Sequence, residues 1–270
     1  MTYAATETSV QSGRPVELYD FSFGATHYRY TSADGDISHG GNTYTAVPIS
    51  RSAVEATSEV ARLALNIACA RSLGVLDLFS TVPPDDIVAV SVRRLHAGDG
   101  EAITIWMGRV LNVAWKPASA EVHCESVYTS LKRVGLRRGY QKGCPYVVYR
   151  GGCRISAASF VATKTVSAVS GTSLTISGMS GFADGYFSGG YIEWEKTAGY
   201  FERRSIRSQV GGSVVIGFPL PGLAASATVN IYPGCDHTLA TCNSKFSNSL
   251  TYGGIPYFPS KNPFDGTIIY

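Results

Sequence analysis

Charge is scarce in this chain, as are cysteine, histidine and long apolar runs, and each shortage removes a class of function. Only 16% of the 270 residues are charged, and the formal balance is +3. Nucleic-acid-binding modules normally carry a basic stripe, so direct nucleic-acid recognition is not expected. The one dense basic stretch, "LKRVGLRRGYQK", with Lys132, Arg133, Arg137, Arg138 and Lys142, reads as a solvated loop or helix face. No segment approaches the roughly 18 consecutive apolar residues of a transmembrane helix. The opening "MTYAATETSVQSGRPVELYDFSF" lacks the basic region followed by an apolar stretch that marks a secretory signal. Folding in a cytoplasm is therefore expected, a compartment that disfavours stable disulfides. The histidines, His27, His39, His96, His123 and His237, show no metal-ligand spacing, and neither H-E-x-x-H nor a G-x-G-x-x-G after a strand occurs. A chain of this length buries a core unaided, so its six cysteines are not there to compensate for small size.

Glycine (29) and tyrosine (16) are plentiful, which favours short strands joined by tight turns. "ELYDFSF", "THYRYTS" and "NTYTAVPI" alternate and are separated by the turn formers of "SADGDISHGG", a pattern that predicts a β meander. Asp34 and Asp36 of that loop lack the further acidic positions of a calcium loop and read as a turn. In "RLALNIACA" Leu63, Leu65, Ile67 and Cys69 share one face, which makes Cys69 a core residue. Further strands are expected in "IVAVSVRRLH", "ITIWMGRVLNVAWKP" and "AEVHCESV", the first two joined by a hairpin turn at "AGDGE". In the last of these Val122 and Cys124 face one way, His123 and Glu125 the other. From about residue 158 to 233 the chain alternates without cysteine, with turns at Ser170-Gly171 and Gly211-Gly212, and reads as a small inserted β barrel or sandwich. The stretch "GCDHTLATCNSKFSNSLTYGGIPYFPSKNPF" reads as loop, and so little apolar periodicity calls for something other than a strand ladder to hold it. The fold class is therefore mainly β. It comprises an N-terminal β-barrel-like domain (1–133), the inserted domain (158–233) and an irregular cysteine-clamped region made of 134–157 and 234–270.

Two cysteine pairs flank the insertion. Eight residues separate Cys144 from Cys153, and six separate Cys235 from Cys242. If the ends of the insertion are close, all four thiols converge. Zinc accepts four thiolates, but its structural sites usually place paired ligands about two to four residues apart. An iron–sulfur cluster tolerates wider and less regular spacing. Spacing leaves cluster and zinc open, with disulfides behind them. Lys142, Arg150, Arg154 and Lys245 lie close in sequence to these cysteines and would offset an anionic centre of either kind.

The segments "GCDHTLATCNSKFSNSLTYGGIPYFP" and "CPYVVYRGGCRIS" resemble the C-terminal signature of a family of phage tail-tip or baseplate hub proteins. That family includes the tail hub of gene transfer agents and, more distantly, the tail-tip protein L of phage lambda. The run "GGNTYTAVPISRSAVEATSEVARLALNIA" is similar to the family's opening domain, so the resemblance spans nearly the whole chain. It implies a structural, non-enzymatic virion protein, normally a trimer, that joins the tail tube to a central fibre. The implied partners are a distal tail protein, a central tail fibre or host-specificity protein and a tape-measure protein. The implied place is the tail tip of the virion, with assembly in the host bacterial cytoplasm. It also implies a [4Fe–4S] cluster on Cys144, Cys153, Cys235 and Cys242, with zinc as the alternative, while Cys69 and Cys124 match no ligand position.

A hub also predicts apolar or tyrosine-rich contact surfaces, and Tyr257, Phe258, Phe264 and Tyr270 at the end of the chain suit either such a strip or a cover for the cluster. Two other functions compete. A phage cell-wall hydrolase needs a nucleophile with a base or a metal with an open position. The near pairs, Cys124 with His123 and Cys235 with His237, offer little, the first being on opposite strand faces. A glycan-binding module is suggested by Tyr191, Trp194, Tyr200 and Phe201, although alternation places some of these rings in the small barrel's own core.

Overall fold

Period-two alternation sets the elements of the N-terminal half. The computed structural model describes residues 3–9, 13–55, 63–80, 82–96, 100–132, 134–135, 139–197 and 200–257. Two units divide the chain, Met1–Val134 and Gly135–Tyr270. In the first, a short helix α1 (Tyr3–Glu7) precedes β1 (Pro15–Phe23), β2 (Thr26–Thr31), β3 (Ile37–His39), β4 (Asn42–Ala46), β5 (Ile49–Arg51), β6 (Leu65–Ala70), β7 (Ala89–His96), β8 (Ala102–Trp115) and β9 (Ser119–Ser126). Tyr19, Phe21 and Phe23 of β1 are buried, while Leu18 on the opposite face packs with Tyr44 and Leu95. In β6 the buried residues are Leu65, Ile67 and Cys69, alternating with exposed Asn66 and Ala68. They meet the buried face of β9 through the antiparallel pairs Leu65↔Cys124, Ile67↔Val122 and Cys69↔Ala120. Each such aliphatic side chain, fully buried, contributes about 1.5–3 kcal/mol.

The mainly β class expected from the sequence is present, but the N-terminal strands do not form a simple meander or a closed barrel. Their order is β3-β4-β2-β1-β7-β8-β9-β6-β5 in one nine-stranded sheet. β2 and β4 pair in parallel, with Tyr30 opposite Thr45. The loop "SADGDISHGG" makes that crossover and contributes β3, which pairs with β4. Asp36 in this loop accepts the Ala46 N–H at 2.7 Å, a turn role that fits the reading of the two aspartates. The hairpin between β7 and β8 is present, with Leu95 opposite Ala102; residues 97–99 of its turn lie outside the described residues. β8 and the 3-10 turn Val127–Lys132 leave Met107, Leu111, Val127, Tyr128 and Leu131 exposed.

The second unit contains β10 (Ala162–Ser170), β11 (Ser173–Ile176), β12 (Tyr191–Thr197), β13 (Tyr200–Val210), β14 (Ser213–Ile216) and β15 (Thr228–Tyr232), closed into a six-stranded barrel in the order β10-β11-β14-β13-β12-β15. Leu174, Ile192, Ile206, Val214, Ile216 and Ile231 fill it, with Phe187 from the β11–β12 connection. Closure removes the exposed edges that a small open sheet would carry. Gly171 and Gly211, with φ of 60° and 53°, occupy the two hairpin turns, where a left-handed backbone is needed and glycine adopts it without penalty. Beyond the barrel comes an element the sequence reading missed, helix α2 (Leu239–Phe246).

Candidate functional site

Closing the barrel brings its two flanking segments together. β10 and β15 pair antiparallel with Ala162 opposite Ile231, so the chain runs into the barrel and out of it side by side. The incoming flank carries Cys144, half-buried, and Cys153, buried; the outgoing flank carries Cys235, half-buried, and Cys242, buried on α2. Backbone bonds tie the flanks. The Cys144 N–H donates to the His237 carbonyl at 2.8 Å, and His237 Nδ1 donates back to the Cys144 carbonyl at 2.9 Å. Asn248 Nδ2 and Thr251 Oγ1 both donate to the Cys153 carbonyl, at 2.8 and 3.0 Å. The Tyr252 hydroxyl spans the carbonyls of Lys142 and His237 at 2.7 and 3.0 Å.

Local chemistry explains why a helix forms where apolar periodicity is weak. Thr238 is the N-cap, its Oγ1 accepting the Thr241 N–H at 3.2 Å. Asp236 accepts from the Thr238 N–H and Oγ1 through Oδ1, each at 2.9 Å, and from Thr241 Oγ1 through Oδ2 at 2.8 Å. Burial alone would raise the Asp236 carboxyl, but those hydrogen bonds outweigh it and hold the group below the usual carboxylate range. At the other end Ser247 turns left-handed, and the Asn248 N–H returns to the Cys242 carbonyl at 3.0 Å. Capping of this kind stabilises a two-turn helix that propensity would leave frayed.

The backbone around the thiols is strained. Five non-glycine residues have positive φ among the described residues, and four of them, Tyr149, Arg154, His237 and Ser247, lie within five positions of one of these cysteines. Each such residue costs about 1–3 kcal/mol and persists only where the surroundings over-determine it. Tyr146 is wedged in the same region: a Cβ on Gly152 or Gly253 would collide with its ring.

Electrostatically the four sulfurs form one neighbourhood. Burial, opposed by the N–H of His237 and assisted by Asp236, Cys153 and Cys144, pushes the Cys235 thiol up. Burial followed by Cys235, Cys153 and Cys144 does the same for Cys242. The His237 N–H points at Cys235 Sγ at 3.4 Å, and the Cys242 thiol donates to the Asn248 carbonyl at 3.3 Å. Among the described residues no group of three or more His, Cys, Asp or Glu is placed to hold a metal ion as it stands. Four cysteine thiols are a donor set of the soft kind that thiophilic metals and iron–sulfur clusters take. Of the nearby basic residues, Lys142, Arg150 and Arg154 are exposed, and Lys245 is half-buried. Of the basic stretch 131–142, Arg133, Arg137 and Arg138 lie outside the described residues.

The remaining candidates go elsewhere. Cys69 and Cys124 sit in the first unit's core, their thiols pushed by burial to about 11 and about 12. His123 lies on the opposite strand face from Cys124 and bonds Asn66 Oδ1 at 2.9 Å. Trp194 packs partly buried against the barrel core, and Tyr191 stacks on Tyr232 with centroids 4.3 Å apart. Tyr257 is exposed, whereas Phe258, Phe264 and Tyr270 lie outside the described residues. Sequence reasoning missed Asn248, Thr251 and Tyr252 as supports, although Asp-x-Thr ahead of a cysteine is a readable cap signal.

A family model described as "Baseplate hub protein, N-terminal attachment domain" matches residues 21–156, just over half of the chain. The chain belongs to this baseplate hub family. A second model, "Phage conserved hypothetical protein BR0599", matches residues 185–262 of the hub protein, so each model spans one cysteine pair. An uncharacterized protein of Xylella fastidiosa (strain 9a5c) is 28% identical over 168 residues, which are 57% of this hub protein and 35% of that one. The matched stretch thus spans about a third of the relative's length. A chain from the virion of a native gene transfer agent particle has the same fold, with a TM-score of 0.83 at 18% identity, covering 99% of this chain and 96% of that one. The hub protein is a structural component of a phage-like particle, located in its tail. Among the described residues no helix is long and apolar enough to cross a membrane.

Proposed function

We propose that the hub protein assembles as a trimer at the tail tip, joins the tail tube to a central fibre, and carries a [4Fe–4S] cluster on Cys144, Cys153, Cys235 and Cys242. The observation that carries the structural role is the family match over residues 21–156. The exposed apolar residues of β8 and of the 3-10 turn after β9, Met107, Leu111, Tyr128 and Leu131 among them, supply the kind of surface on which a distal tail protein or a further copy would seat. A tape-measure protein and a central fibre or host-specificity protein complete the proposed partners. We assign no catalytic role. His27, His96, His123 and His237 are each engaged by a structural partner, Asp20, Glu7, Asn66 and the Cys144 carbonyl.

The cluster reading rests on four thiols drawn from both flanks of one barrel into a common electrostatic neighbourhood. When bound, the group supplies cross-links between segments that bury little apolar surface, and ligand binding becomes part of the folding free energy. The chain's own residues do the positioning: Asn248 and Thr251 hold the Cys153 loop, His237 and Tyr252 the Cys144 loop, and the Thr238 cap the helix bearing Cys242. Zinc on the same sulfurs is the alternative. The assembly claim is tested by labelling the protein in intact particles and counting copies by electron microscopy. Three copies at the tail tip are expected; label along the tube, or a different copy number, contradicts the proposal.

A further inference from the structure

The helix that presents Cys242 also presents a cation. Cys242 and Lys245 are three residues apart on α2, the spacing that puts side chains on one face. The Lys245 ammonium donates to the Gly234 carbonyl at 2.7 Å and to the Tyr186 carbonyl. Gly234 immediately precedes Cys235, and Tyr186 belongs to the β11–β12 connection of the barrel. The same ammonium lies 4.4 Å from the Tyr186 ring centroid and 5.5 Å from that of Phe246. Among the described residues no carboxylate stands within ion-pair distance of it. Asp236, the nearest in sequence, spends its oxygens on Thr238 and Thr241. Burial pulls the lysine down, and what opposes this is Cys235, then Asp236. A half-buried ammonium without a paired carboxylate is expensive unless a fixed anion lies nearby, and the Cys235 sulfur, whose charge favours the ammonium, becomes that anion when it binds a metal.

We propose that Lys245 is a positioning residue of the four-cysteine site. It clips the Cys235 backbone to the helix carrying Cys242, anchors both to the barrel, and supplies the positive charge that thiolate ligands require. The inference rests on the reading of the four cysteines as metal ligands, so its test includes that reading as a separate arm. The reduced full-length chain is reconstituted with ferrous iron and sulfide, and the rate at which a chelator strips the iron and the reduction potential are measured. For Lys245→Met the iron is expected to leave about tenfold faster, the loss of a charge-assisted contact, and the potential to fall, because net charge near a cluster sets it. The exposed Lys116→Met in the sheet unit, with the same change in formal charge, stays within about twofold of wild type. Equal rates and potentials in Lys245→Met and wild type overturn the role of Lys245 and leave the cysteine reading standing. A wild-type chain that takes up zinc instead of iron is put through the same chelator comparison, with the same criterion. A wild-type chain that binds neither overturns both. Should Lys245→Met fail to fold, Lys245→Gln, whose amide still donates to a carbonyl, takes its place.

Discussion

At the residue scale the six cysteines divide by environment. Cys69 and Cys124 alternate with exposed neighbours along strands, and that periodicity placed them in a core from sequence alone. Both thiols bind their protons more tightly folded than unfolded, so the stability they contribute is complete below the ordinary thiol range. It drains away as pH rises from about 9 toward about 11 for Cys69 and about 12 for Cys124. The thermal midpoint of the hub protein should therefore fall over this range, each thiol adding a slope of up to about 1.4 kcal/mol per pH unit. Cys124→Ala should show a shallower fall; an unchanged slope would remove Cys124 as a cause. The other four cysteines sit in irregular sequence, where spacing left cluster, zinc and disulfide open and only the family resemblance chose among them. Replacing any one, as in Cys235→Ser, is expected to abolish cluster absorbance and speed hydrogen exchange through residues 235–255. A colourless variant that keeps wild-type protection and assembles would defeat the structural role of the cluster. The supports Asn248, Thr251 and Tyr252 were illegible in the sequence because their bonds join positions 95, 98 and 110 residues apart.

At the scale of elements, most strands were legible because half-buried strands announce themselves by alternation. β3 was not, since three residues inside a glycine-rich loop give no period to read. The parallel pairing of β2 with β4 was not either, for pairing partners are a tertiary property that local pattern does not carry. Helix α2 was hidden for a different reason. Half of its sequence, LATCNSKF, is polar, and its stability comes from the Asp236–Thr238 cap and from tertiary contacts. Thr238→Ala should destabilise it by about 1 kcal/mol, seen as faster amide exchange in residues 239–246 and weaker metal retention. Exchange rates matching wild type would mean that the cap contributes nothing. Gly253→Ala tests the packing of the same region. The added methyl has to displace the Tyr146 ring, so a thermal midpoint lowered by overpacking worth about 1–3 kcal/mol is expected, and an unchanged one would show that the ring yields freely.

At the scale of the whole molecule, a mainly β chain of the baseplate hub family offers exposed apolar residues on its sheet unit and a four-cysteine site beside its barrel. Surface apolar groups are expected to matter for assembly and little for folding. The pair Met107→Asp and Leu131→Asp should leave the thermal midpoint within a few degrees of wild type while blocking incorporation into particles; normal incorporation would place the interface elsewhere. Central to the proposed role is a metal group, held by the four cysteines, that completes the fold of the barrel's flanks. Anaerobic purification followed by an absorbance spectrum and iron, sulfide and zinc analysis tests it most directly. Broad absorbance near about 400 nm with about four irons per chain is predicted. A chain that carries neither iron nor zinc, with its four thiols free or oxidised to disulfides and its C-terminal region fully protected, would contradict it.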